Sequence, residues 1–151
     1  MSEPAAPDPT DRSRYPAWAR DTVRYADTDR QGHVNNAVFA TFCETGRVHV
    51  LYRPDRLAPP GCEFVLARLA LDYRAEINWP GEVEIGTGVK AVGRSSVTIA
   101  QALFQEGRCV ATAETVVVLM DEATRRSTPL PDKARAHLAT LTVRDPQPTA
   151  S

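Results

Sequence analysis

The stretch VRYADTDRQGHVNNAVFATF, residues 23–42, changes character halfway along and decides how the rest of the chain is read. It opens inside the run DTVRYAD, where Val23 and Tyr25 alternate with Thr22 and Arg24, the period of a half-buried strand. Asp, Gly and Asn then crowd a turn, and from Asn36 the apolar period lengthens. In NAVFATFCETGRVHVLY, Phe39, Cys43, Gly46 and Val50 fall at i, i+4, i+7 and i+11, one helical stripe with Val38 and Phe42 beside it. Ala37, Ala40 and Thr41 leave the rest of its first half small and weakly polar, so this helix is expected to be enclosed on more than one side. It should end before Pro54.

Beyond the helix, PDRLAPPG at 54–61 reads as a loop, and four strand-like segments follow it. The first, EFVLARLALDY, sets Val65, Ala67, Leu69, Leu71 and Tyr73 on one face. EVEIGTGVKAV, SSVTIAQALF and RCVATAETVVVLM come after it, and the short turns around Gly93 and Gly107 suit antiparallel hairpins. LPDKARAHLATL at 130–141 reads as a short terminal helix, with Pro131 tolerated in its first turn. Strand, long helix, then four strands predicts an α+β fold in which a five-stranded antiparallel sheet packs against one long helix. Residues 1–14 and 144–151, rich in Pro, Ser, Ala and charge, are expected as disordered tails around one domain at 15–143.

Composition narrows the classes. A chain of 151 residues holds one ordinary domain with a real core, and 42% hydrophobic with 25% charged residues fits a soluble globular protein. A net charge of −1 gives no overall attraction for nucleic acid. No run approaches the roughly 20 apolar residues of a membrane helix, and the first residues lack the apolar core of a signal peptide. Cys43, Cys62 and Cys109 form no CxxC pair and leave one unpaired in any disulfide scheme, which favours a reducing, cytoplasmic setting.

The chemistry-bearing residues gather between the strand and the helix, and four readings compete for them. Turn and cap chemistry alone accounts for Asp, Asn and Gly here, with Asn35 as the cap. A metal site would use Asp27, Asp29 and His33, but the spacing is not diagnostic and neither His49 nor His137 pairs with His33 in spacing. An aspartyl nucleophile for phosphoryl transfer fits Asp-x-Asp after a strand, yet no glycine loop is present to grip a phosphate. The fourth reading uses the helix start, whose unpaired N–H groups and partial positive charge can hold a carbonyl oxygen as it becomes an oxyanion. Asp29 lies seven residues before Asn36, so a turn can set a carboxylate and that helix start around one carbonyl carbon.

YADTDRQGHVNNAVF, followed by Glu44, resembles the signature of the 4-hydroxybenzoyl-CoA thioesterase family of hotdog-fold enzymes, and most of all its acyl-CoA thioesterase branch. That pattern runs Tyr-x-Asp-Thr-Asp-x-x-Gly-His-Val-Asn-Asn-x-x-Tyr and then a helical Glu; Phe39 stands where the family usually has Tyr. The resemblance covers about residues 20–140 and implies a sheet wrapped around the central helix. It also implies hydrolysis of an acyl-CoA to a carboxylic acid and coenzyme A, with no cofactor or metal. It further implies a homodimer or homotetramer with sites at the dimer interface. Carried over by position, the catalytic carboxylate falls on Asp29 and the oxyanion donor on the backbone amide of Asn36. His33 and Asn35 match the segment between them, and Glu44 matches the helix glutamate in a supporting role. Asp27 is assigned to the turn, through backbone hydrogen bonds.

For Glu44 the plain alternative is an i,i+3 pair with Arg47 on an exposed edge. Cys43 sits on the apolar stripe and reads as buried filler rather than a nucleophile. The acyl pocket is expected between helix and sheet, touched by Phe39, Phe42 and Phe64. Lys90, Arg94 and Ser95, at a hairpin, are the candidates for meeting coenzyme A phosphates, or are simply a solvated basic turn. A non-catalytic acyl-CoA-binding hotdog protein and a hotdog dehydratase stand as the other readings, since fold does not fix function.

Overall fold

The computed structural model describes residues 7–144. In chain order they form β1 (Ala17–Val23), α1 (Asn36–Tyr52), β2 (Cys62–Tyr73), β3 (Gly81–Val92), β4 (Ser96–Gln105), β5 (Arg108–Asp121) and α2 (Asp132–Ala139). The five strands make one antiparallel sheet in the order β1-β3-β4-β5-β2. α1 packs on one face of it, chiefly against β3, β1 and β4, so the predicted α+β architecture is the one observed.

Three sequence expectations need correction. The first strand ends at Val23, and Tyr25–Asp27 is a 3-10 turn, because Asp27 Oδ2 accepts the Arg24 N–H at 2.8 Å and turns the chain away from the sheet. The expected N-terminal tail is ordered at least from residue 7. Asp11 Oδ1 caps a 3-10 turn at Arg12–Arg14, Tyr15 Oη donates to the Pro9 carbonyl at 2.6 Å, and the Arg12 guanidinium lies 4.4 Å from the Trp18 ring centroid. Charge that reads as solvated is stacked on an aromatic face instead. The remainder of that tail, residues 1–6, and residues 145–151 lie outside the described residues.

The third correction concerns β2. A bulge between Leu66 and Arg68 inserts one residue, and the face that points at α1 changes parity there. Cys62 and Phe64 pack into the core before the bulge, whereas Leu71 does so after it. The expected stripe from Val65 to Tyr73 therefore holds only for its second half.

α1 sits unusually close to the sheet, and a glycine allows it. A Cβ on Gly46 would lie 2.5 Å from Gln101 Nε2, 2.6 Å from Ile85 Cγ2 and 2.7 Å from Thr87 Oγ1. With no side chain there, the buried Gln101 amide donates to the Cys43 carbonyl at 2.8 Å and to Thr87 Oγ1 at 3.1 Å. Phe39, Phe42, Cys43 and Val50 fill the helix–sheet space around that seat, as the i, i+4, i+7 pattern predicts. In an open helix, Gly→Ala stabilises by roughly 0.5–1 kcal/mol. Here the overpacking cost of about 1–3 kcal/mol outweighs that gain. Gly46→Ala is therefore expected to lower the urea midpoint; a raised midpoint would contradict this seating.

Candidate active site

Between β1 and α1 the backbone is pinned by one aspartate. The Asp27 carboxylate accepts from the Arg24 backbone N–H and, at Oδ1, from Arg24 Nη2 at 2.8 Å, while its carbonyl accepts the Asn35 N–H at 2.8 Å. Asp27 is buried, and its hydrogen bond from Arg24 holds the carboxyl below the ordinary value of 3.8. This is the turn-organising role expected of it. The following loop is tied down from the other side, since Val34 N–H donates to the Ile77 carbonyl at 3.0 Å.

Asp29 closes a tight turn of its own. Its N–H donates to the His33 carbonyl at 2.7 Å, and its Oδ1 accepts from the amides of Gln31 at 2.8 Å and His33 at 3.2 Å. Gly32 has φ +84°, a conformation open to glycine at little cost. The carboxylate is thus held at one oxygen, and among the described residues Oδ2 accepts no hydrogen bond. Asp29 is exposed, and so is Asn36.

The helix start is capped in a way that leaves one donor over. Asn35 Oδ1 accepts from Ala37 N–H at 3.0 Å and the Asn35 carbonyl accepts from Val38 N–H at 2.9 Å. The first helical amide, Asn36 N–H, has no acceptor within its own helix. None is found for it elsewhere among the described residues. Tyr73 Oη donates to the Asn36 carbonyl at 3.0 Å, and its ring meets Phe39 edge-on at 5.0 Å between centroids. Sequence reasoning missed this contact, although Tyr73 stood at the end of the expected one-face stripe of β2.

His33 lies beside this turn, with Nε2 3.0 Å from Glu76 Oε2. No sequence signal pointed to Glu76. Glu44 is exposed on α1 about two turns from Asn36 and makes no ion pair with Arg47, which is buried rather than on an exposed edge. Burial pushes the Cys43 thiol up to about 12, in keeping with its reading as filler. No cluster of three or more His, Cys, Asp or Glu suited to a metal ion occurs among the described residues.

Two groups of expected ligand contacts are not brought together. Phe39 and Phe42 are core residues, while Phe64 lines a separate cavity of about 270 Å³ beside Tyr52 and Leu66. Lys90, Arg94 and Ser95 lie at the far end of the sheet from Asn36, because β3 starts beside the Asp29 loop, where His33 bridges Asn78, and runs away from it. Lys90 is already paired with Glu114 at 2.9 Å. The Arg94 carbonyl accepts from Leu130 N–H and Arg135, and the Ser95 carbonyl accepts from Leu119 N–H.

The fold is a hotdog: a five-stranded antiparallel sheet with a long helix on its face, shared with the PA5185 protein of Pseudomonas aeruginosa at a TM-score of 0.82. That pair is 27% identical over 89% of this chain and 97% of the other. A thioesterase of Thermus thermophilus, crystallised with coenzyme A and Zn, matches at 32% identity and TM-score 0.73, over 82% of this chain and 98% of its own. A predicted thioesterase of Bacillus stearothermophilus matches at 30% identity and TM-score 0.76, over 86% and 98%. No curated protein sequence matches the chain. The model of the thioesterase-like superfamily matches residues 23–138, and the chain belongs to that superfamily.

The Asp27 anchor has a consequence for stability. A carboxyl whose folded pKa is depressed stabilises the fold at neutral pH, and that contribution is lost as pH falls through the depressed value. Asp27→Asn should be less stable than wild type at pH 7 and show a flatter loss of stability below about pH 4. Parallel acid-unfolding curves for the two proteins would contradict the assignment.

Proposed function

We propose that the protein is an acyl-CoA thioesterase of the 4-hydroxybenzoyl-CoA thioesterase type, hydrolysing an acyl thioester to a carboxylic acid and coenzyme A. The observation that carries this reading is the pairing of a carboxylate whose Oδ2 is unengaged, Asp29, with an unengaged first helical amide, Asn36 N–H, on one short loop. The thioester oxygen accepts from Asn36 N–H, where the partial positive charge of the helix start stabilises the oxyanion. Asp29 Oδ2 then attacks the carbonyl carbon, expelling the thiolate and leaving a mixed anhydride that water cleaves, or it removes a proton from a water that attacks. In a single turnover in ¹⁸O-labelled water, label in Asp29 identifies the anhydride route with water attacking the Asp29 carbonyl, because the general-base route puts label only into the acid product.

His33 and Asn35 act from the same loop. His33 orients the turn beside Glu76, and Asn35 holds Ala37 N–H so that Asn36 N–H alone is left for substrate. Glu44, about two turns along α1, is assigned a supporting role for the attacking group. The relative crystallised with coenzyme A supports that carrier, and no separate cofactor is required. The protein acts as a homodimer or homotetramer in the cytoplasm, with β2, an edge strand carrying the exposed Leu66 and Tyr73, as the natural seam. In such an assembly a neighbour's hairpin brings Lys90, Arg94 and Ser95 to the phosphates. No helix among the described residues is long and apolar enough to cross a membrane.

Purified protein incubated with a panel of acyl-CoAs and a thiol reagent should release coenzyme A, and Asp29→Asn should lower kcat by about a hundredfold to ten-thousandfold with folding intact. Acyl-CoA binding without thiol release would favour a non-catalytic binder, and hydration of an enoyl-CoA without hydrolysis would favour a dehydratase.

A further inference from the structure

The first turn of α1 is tied to the sheet by a single hydrogen bond. Tyr73, the last residue of β2, donates from Oη to the Asn36 carbonyl at 3.0 Å. Its ring meets Phe39, in the same turn, edge-on at 5.0 Å between centroids. The other side-chain bonds between α1 and the strands lie further along. Thr45 reaches Asp21 and Gln101 reaches the Cys43 carbonyl in mid-helix, and Tyr52 Oη donates to Glu63 Oε2 at its last residue. Among the described residues, Tyr73 alone joins a strand by a hydrogen bond to the residue that carries the unengaged Asn36 N–H.

A helix is loosest at such an end, because its opening amides have no helical acceptors and the turn frays first. The seat at Gly46 fixes the axis, but it lies ten residues, nearly three turns, beyond Asn36. The Asn35 cap bonds within the turn and moves with it. Tyr73 differs, because β2 is paired with β5 as far as Tyr73 itself, opposite Ala111. Asn36 is exposed and Tyr73 is 51% exposed, so water can take the place of the hydroxyl at the carbonyl with little cost in stability. Water does not restore the fixed position. A donor stabilises a developing charge only when it need not reorganise to meet it, so the loss of this tie falls on the transition state and not on folding.

We infer that Tyr73 is a positioning residue for the reaction at Asn36: its hydroxyl holds the first turn of α1 so that the Asn36 N–H meets the thioester oxygen in one orientation. Tyr73 acts through the Asn36 backbone and takes no part in proton or acyl transfer. For the role of that amide this rests on the thioesterase reading.

Tyr73→Phe keeps the ring and its contact with Phe39 and removes only the hydroxyl, and two measurements on it test the role. Backbone ¹⁵N relaxation reads the first turn without any substrate. The Asn36 order parameter should fall by about 0.1 or more from the rigid-backbone value of about 0.85, with Cys43 and Gly46 at the seat unchanged. On the acyl-CoA that wild type uses best, kcat should fall about tenfold with KM and thermal midpoint nearly unchanged. An unchanged Asn36 order parameter in a variant that wild type matches in turnover overturns the role of Tyr73 and leaves the thioesterase reading standing. So does a raised KM at unchanged kcat, which would make the hydroxyl a substrate contact. A lowered order parameter in a protein whose wild type releases no thiol from any acyl-CoA upholds the tie and removes the reaction it serves.

Discussion

The seat of α1 on the sheet, made by Gly46 and Gln101, is the contact on which the other features depend. Gly46 lets the helix approach until the Gln101 amide reaches both the Cys43 carbonyl and Thr87. Helix capping and the Asp29 loop are both placed relative to that axis. Thr45 Oγ1 adds a second tie, to Asp21 of β1 at 2.9 Å. A helix held this firmly at its middle presents its first turn at a fixed height above the sheet. Preorganised donors act on a developing charge only when they cannot move away from it.

The loop that feeds the helix then divides its polar groups between those that hold the turn and those left unengaged. Asp27 serves structure: both carboxylate oxygens and its carbonyl are engaged by Arg24 and Asn35. Asp29 uses one oxygen for its own turn and keeps the other. Asn35 satisfies the amides of Ala37 and Val38. What is left over is one carboxylate oxygen and one amide, the two groups on which the proposed carbonyl chemistry rests. Two aspartates two residues apart thus have unequal surroundings, and only one of them keeps an unengaged carboxylate oxygen.

Much of this was legible in the residues. The change from alternation to a 3.6 period at Asn36 placed the helix start, and the turn residues at Gly93 and Gly107 placed the hairpins. The bulge in β2 was not legible, because one inserted residue leaves no mark in a run that is apolar on both faces. Nor was the burial of Arg47, since Glu44 and Arg47 three apart read as an ordinary surface pair. The hairpin carrying Lys90, Arg94 and Ser95 could be found but not located, because a sequence does not say which end of a sheet faces a helix start. Arg12 illustrates the same limit: its charge suggests solvent, and only the fold brings Trp18 beneath it.

The account stands or falls on the Asn36 amide. Proline at the first helical position keeps the helix and removes only the N–H, and Asn35, at φ −57° and ψ 137°, already has the backbone that a following proline favours. The decisive measurement is the kcat of Asn36→Pro on the best acyl-CoA, with Asn36→Ala as the control for the side chain. The account predicts a loss of about a hundredfold to a thousandfold in Asn36→Pro, near-wild-type kcat in Asn36→Ala, and unchanged thermal stability in both. Undiminished turnover by a folded Asn36→Pro protein would contradict it.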